Sequence, residues 1–170
     1  MKIISKNIEE TNKAATDFLN QLSIKTDSAT VVGLFGDLGA GKTTFTQALG
    51  KNLGVTEFMT SPTFVIEKIY SLKKKGKPLE NPLRLTQTNH YEEIPKVSTS
   101  TFFEKLIHID AYRLESSNEL LSLDFKEILK NPQNLILIEW PEKVIDILPE
   151  DLLKINFKFI TEFEREIEII

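Results

Sequence analysis

An α/β domain with a mainly parallel central sheet, helices on both faces and a C-terminal antiparallel strand pair is the fold class that the sequence predicts. Three observations predict it. The β-branched, apolar run Thr30-Val31-Val32-Gly33-Leu34-Phe35 leads into a glycine-rich loop and then into an amphipathic helix. Two further apolar runs, 105–110 and 134–139, each close on a carboxylate, Asp110 and Glu139. The tail alternates apolar and polar residues over 152–160 and again over 165–170, with a turn near Thr161-Glu162.

In chain order, Asn7 is placed to cap a first helix, with Glu10 three residues on as in a capping box. Ala14, Ala15, Phe18, Leu19 and Leu22 form its apolar stripe. The helix after the glycine loop shows Phe45, Ala48, Leu49 and Leu53 on one face, and Gly54 stands where a C-terminal cap belongs. Pro62 fixes one φ angle and biases Ser61 away from helix, so the segment enters the strand expected over 65–70 as a shaped loop. Residues 71–103 read as an inserted excursion with a short hairpin, punctuated by Pro78, Pro82 and Pro95. Its Lys73-Lys74-Lys75-Gly76-Lys77 run fits a solvated turn, or a contact with an acidic partner or RNA. Ser116 and Ser117 are candidate caps for a helix carrying Leu120, Leu121, Phe125, Ile128 and Leu129, which Pro132 helps to stop.

The loop is where chemistry is written. Gly36-Asp37-Leu38-Gly39-Ala40-Gly41-Lys42-Thr43, with Thr44 behind it, satisfies G-x-x-x-x-G-K-[ST] at every fixed position, between a strand and a helix. The glycines permit a close backbone approach, so that successive N–H groups point at phosphate oxygens. The helix start adds free donors and the positive end of a dipole. Lys42 is the expected cation for the terminal phosphates and Thr43 the expected magnesium ligand. Because ligands of open α/β sheets bind beyond the carboxyl ends of strands, Asp110 and Glu139 are expected beside that hydroxyl, as metal ligands or water organisers.

Composition sets the outer bounds. The 170 residues are enough for one domain with a real core, and are expected to form one throughout, 1–170. The absence of cysteine excludes disulfide scaffolds and thiolate metal sites. The chain opens Met1-Lys2-Ile3-Ile4 and turns polar at once, and no apolar run approaches the roughly 18 residues of a membrane span. A cytoplasmic protein without membrane contact is the expectation. Net charge is 0 over 1–70, +3 over 71–103 and −7 over 104–170, so the acidic half argues against broad contact with a nucleic-acid backbone.

Four segments together resemble one family. They are the loop 36–44; Ser61-Pro62-Thr63-Phe64; His108-Ile109-Asp110-Ala111-Tyr112-Arg113-Leu114; and Ile138-Glu139-Trp140-Pro141-Glu142. Their order and spacing are similar to those of the bacterial tRNA threonylcarbamoyladenosine biosynthesis family TsaE, over nearly the whole chain, with 71–103 as the departure. The resemblance implies a P-loop ATPase using ATP/ADP and Mg2+, working with the two larger subunits of the tRNA threonylcarbamoyl-transfer complex and meeting tRNA only through them. It implies catalytic roles for Lys42, Asp110, Glu139 and Thr63, with Ser61 and Thr63 in a switch segment that senses the γ-phosphate. Metal contacts fall to Thr43, Glu139 and Asp110. Nucleotide contacts fall to Gly36 through Thr44, to Trp140 packed near the nucleotide site, and to Thr11 in the first helix near the base; Trp140 also fits a core position, and His108 fits either role.

Two other classes stay open. A nucleotide-gated binding module would need no significant hydrolysis. A small-molecule P-loop kinase would usually clamp two phosphate groups with several arginines, and this chain has only Arg84, Arg113 and Arg165. A GTPase would need a guanine-reading Asn-Lys-x-Asp segment, and none occurs.

Overall fold

The computed structural model describes residues 1–72, 83–85, 91–93 and 103–170. Seven strands form one mixed sheet: β1 (Lys2–Ser5), β2 (Thr30–Phe35), β3 (Glu67–Ser71), β6 (Lys105–Asp110), β7 (Asn134–Glu139), β8 (Leu153–Phe159) and β9 (Arg165–Ile169). Their order is β1-β9-β8-β2-β7-β6-β3. The four central strands, β8, β2, β7 and β6, run parallel, while β3, β9 and β1 are antiparallel to their neighbours. The two remaining strands, β4 (Leu83–Leu85) and β5 (Tyr91–Glu93), pair antiparallel with each other.

Helices cover both faces. On one, α1 (Ile8–Gln21) and α2 (Lys42–Asn52) press Ala14, Phe18, Phe45 and Leu49 onto Val32, Leu34, Leu106, Leu135 and Leu137. On the other, α3 (Ser117–Leu121) and α4 (Phe125–Leu129) set Leu120 and Phe125 against Val31, Ile107, Ile109, Ile136 and Ile138. Strand residues alternate between these two cores, as period two requires. Because both faces are covered, β2 and β7 read as continuous apolar runs.

Helix ends follow the sequence closely. The Asn7 side chain accepts from Glu10 N (2.8 Å) and the Glu10 carboxylate accepts from Lys6 N (2.7 Å). Past α2, Gly54 takes φ 86, Gly54 N donates to Lys51 O and Val55 N to Gly50 O. That double bond pattern is the Schellman closure, and a left-handed residue makes it possible.

Three expectations change. β1 is an edge strand that Lys2-Ile3-Ile4 did not announce; it exists by pairing with β9, the far end of the chain. The strand expected from Val65 begins at Glu67, because Val65 N and Ile66 N both donate to Pro62 O and Ile66 turns left-handed (φ 66). The single helix expected after Ser116 is two, broken where Asp124 adopts φ 57. Asp tolerates that conformation, and each short helix still buries one large side chain. Of the 71–103 excursion, Ser71 closes β3, Leu72 and Phe103 are buried, and a two-stranded ladder lies between; the lysine run lies outside the described residues. Among the described residues no helix is long and apolar enough to cross a membrane.

Candidate functional site

β2, β6 and β7 end on the same side of the sheet, and the parallel register sets Asp110 directly opposite Glu139. The loop after β2 arches over those ends. Gly36 makes its first turn at φ 134, where a Cβ would lie 2.2 Å from Phe157 O. A side chain there would collide with the backbone of β8, so the loop starts on a residue that only glycine can occupy. The loop finishes at Gly41, the N-cap of α2.

Lys42 folds back along this loop. Its Nζ donates to Gly36 O and to Asp37 O (2.9 Å), and lies 4.2 Å from the centre of the Trp140 ring. Burial pushes the ammonium below the usual lysine range, opposed by the carboxylates of Glu139, Asp110, Glu142 and Asp37. Trp140 itself is held left-handed (φ 58) at the end of β7 and packs on Tyr112, with ring centres 5.0 Å apart.

The two carboxylates have different company. Glu139 is buried and accepts from Thr43 Oγ1 at 2.9 and 3.2 Å, while His108 Nε2 lies 2.9 Å from its Oε1. Asp110, also buried, is turned toward the segment 61–63. Its Oδ2 accepts from Ser61 Oγ (2.8 Å) and Thr63 Oγ1 (2.5 Å), and its Oδ1 accepts from Tyr112 N (3.0 Å). Both of its oxygens thus accept from protein donors, one of them from both hydroxyls of the 61–63 segment.

A cavity of about 340 Å³ opens between these groups, lined by Lys42, Thr43, Thr63, Asp110, Glu139 and Trp140 together with Leu38, Gly39, Gly41 and Thr44. A second, of about 460 Å³, shares Gly39, Gly41 and Thr44 and continues past Asn7, Glu162, Phe163 and Arg165. Thr11 lines neither. Its hydroxyl is turned into the contact between β1 and α1, 2.7 Å from Ser5 Oγ, and the residues of the helix start that line the second cavity are Asn7, Ile8 and Glu9.

This arrangement has relatives. The family described as Threonylcarbamoyl adenosine biosynthesis protein TsaE matches residues 5–83 and 84–167. The chain belongs to the TsaE family. A Rickettsia felis protein named tRNA threonylcarbamoyladenosine biosynthesis protein TsaE is 34% identical over 169 residues, 99% of this chain and 78% of that one. A Streptomyces coelicolor protein of the same name is 35% identical over 127 residues, 74% of this chain. The aligned part is 66% of the Streptomyces protein, just under two thirds of its length. The crystal structure of Bacillus subtilis YdiB superposes with a TM-score of 0.62 at 28% identity, covering 99% of this chain and 83% of that one.

Sequence reasoning about this TsaE chain missed two contacts. Arg165 Nε donates to Gly39 O (3.1 Å) and its Nη1 to Thr161 O, so the tail turn grips the loop. Nothing local in the sequence joins residues 126 positions apart. His108 shares Asp110's face by period two, yet its partner is Glu139 on the next strand, which only the register reveals.

Proposed function

We propose that this chain is the ATP-binding and hydrolysing subunit of the assembly that makes threonylcarbamoyladenosine in tRNA, and that it works there as a nucleotide-dependent switch. One observation carries the reading. Around a single cavity the chain gathers the Lys42 ammonium, a hydroxyl–carboxylate pair and a hydroxyl-bearing segment latched to a second carboxylate.

The donor set fits magnesium. Thr43 and Glu139 offer hard oxygens, and among the described residues no group of three His, Cys, Asp or Glu could cage an ion alone. Phosphate and water would complete the shell, as magnesium usually requires. When bound, the ion neutralises charge on the transferring phosphate. The protein does the rest with its own groups. Backbone N–H donors of the loop and Lys42 hold the terminal phosphates, after Lys42 leaves the carbonyls of Gly36 and Asp37. The second cavity, between Asn7, Thr44 and Phe163, is the volume available to the base.

The switch follows from differential contacts. Ser61 and Thr63 donate to Asp110. A γ-phosphate offers the same hydroxyls a second acceptor, and a ligand shifts an equilibrium only through such differences. Ile66, a β-branched residue at φ 66, ends the segment in a costly conformation that surrounding structure must hold. The partners are the two larger protein subunits of the complex, with tRNA reached through them.

The kinase alternative is weakened by its arginines. Arg165 is spent on backbone carbonyls and Arg113 lies over the Phe64 ring, 4.3 Å from its centre. Copurification of the tagged chain in ATP and in ADP, with bound proteins and RNA identified, tests the assignment. Nucleotide-dependent capture of the modifying subunits is the expected result, and capture of none in either nucleotide would refute it. A turnover assay with and without those subunits separates an ATPase from a gated binding module that does not hydrolyse.

A further inference from the structure

On its face of β6, His108 is where the alternating pattern calls for a hydrocarbon. Leu106, two residues earlier, and Leu137, its register partner on β7, are both part of the core beneath α2. His108 is 1% exposed, and its Nδ1 is buried with no hydrogen-bond partner. A leucine would avoid that uncompensated polar atom. Buried orphan groups ask for an explanation, and a functional constraint is one of the few available.

The other ring nitrogen supplies it. His108 Nε2 lies 2.9 Å from Glu139 Oε1, and the Thr43 hydroxyl donates to the same carboxylate, 2.9 Å from Oε1 and 3.2 Å from Oε2. A carboxylate only accepts, so Nε2 carries the proton and donates. Glu139 sits at the end of β7, with Trp140 turning left-handed immediately after it, and a carboxylate there has several rotamers open to it. Two donors, one from β6 and one from α2, leave it one.

We propose that His108 is a positioning residue for Glu139: its Nε2–H fixes the Oε1 edge of the carboxylate and leaves Oε2 turned, with the Thr43 hydroxyl, toward the nucleotide cavity. This rests on Glu139 being the magnesium-site group proposed above. It adds that the orientation of that group is set from the neighbouring strand by a residue that touches neither nucleotide nor ion.

The test compares His108→Leu with His108→Gln. Gln places an N–H donor near the Nε2 position, whereas Leu fills the space and donates nothing. The readouts are Mn2+ binding, by electron paramagnetic resonance, to protein holding a non-hydrolysable ATP analogue, analogue affinity in EDTA, and melting temperature. His108→Leu should melt no lower than wild type and bind the analogue in EDTA unchanged, while Mn2+ affinity falls about 10- to 100-fold, the usual cost of losing such a supporting contact. His108→Gln should recover most of that loss. A packing role predicts the reverse order, with Leu like wild type and Gln the poorer variant, and that order overturns the proposal. If His108→Leu does not fold, His108→Asn takes its place: its shorter amide falls short of Glu139 and should lose the metal affinity that Gln keeps, and equal affinities in Asn and Gln overturn the proposal. Glu139→Gln separates the two layers. Weakened Mn2+ binding there, with His108→Leu normal, refutes only the role of His108; normal binding in both refutes the magnesium reading beneath it.

Discussion

Asp110→Asn isolates the latch. In the wild type one oxygen of Asp110 receives two hydroxyl donors, from Ser61 and Thr63, and the other receives Tyr112 N. An asparagine can keep its carbonyl on Tyr112 N, which points its NH2 at two hydroxyls that had been donating. They can rotate to accept, so the geometry survives in part, but the charge that strengthened both bonds is gone. Hydrogen bonds to a charged group contribute about 1.5–3 kcal/mol each. If rotation recovers one of the two, the latch weakens by that amount, which is about a 10- to 150-fold rise in the opening of the segment. Amide exchange measured by mass spectrometry over 61–66 reads this directly, because Val65 N and Ile66 N are protected by Pro62 O in the closed arrangement. Global stability should move less than the segment does, since an opened segment leaves both cores intact; in a chain of this length each 1 kcal/mol is worth about 2–4 °C. Unchanged protection over 61–66 in Asp110→Asn would refute the latch. Equal loss of protection throughout the sheet would refute it as well, by making Asp110 a residue of global stability.

Other perturbations address the rest of the molecule. Lys42→Ala should abolish turnover or binding, at a cost of at least a few kcal/mol in transition-state stabilisation; because Lys42 lies over the only tryptophan, a change in Trp140 emission on adding ATP to wild type, absent in the variant, reports its movement. Burial raises the Glu67 carboxyl above its ordinary range, and one of its oxygens has no partner. A raised carboxyl pKa destabilises the fold as pH climbs through it, so melting of wild type relative to Glu67→Gln should worsen from pH 4 to pH 7; a pH-independent difference contradicts this. Deleting residues 73–100 in favour of a short turn should leave ATP binding intact, because Leu72 N donates to Glu104 O (2.8 Å), so the chain before the deletion lies beside Glu104. A deletion product that folds but does not bind ATP would show the insertion to be part of the site.

What the sequence made legible is what is local. The loop 36–44, the caps at Asn7 and Gly54 and the buried runs of β2 and β7 all depend on residues within a few positions of one another, and each stands where the pattern put it. The losses are pairings across the chain. β1 needs β9, and Arg165 needs Gly39. Thr11 is buried against Ser5, which no helical period could have announced. The break at Asp124 was hidden for a different reason: apolar spacing continued across it, because both short helices face the same sheet.

Register explains why the carboxylates differ in role although their sequence contexts are alike. Asp110 and Glu139 each end a parallel strand and stand opposite one another, so the sheet delivers both to one end of the loop. β7 lies next to β2, and Glu139 therefore meets the first turn of α2 and the Thr43 hydroxyl. β6 lies one strand further out, beside β3, and Asp110 meets the segment that leads into β3. A single strand spacing of roughly 4.8 Å thus divides the labour. The inner carboxylate meets the end of the glycine loop, and the outer one meets the segment that leads into β3. Exchanging the two residues, Asp110→Glu with Glu139→Asp, keeps total charge and tests that division. The shorter side chain withdraws from Thr43 and the longer one crowds Ser61, so nucleotide-dependent metal binding and protection over 61–66 should both fall. If either property survives the exchange at wild-type strength, position on the sheet does not set the role of that carboxylate.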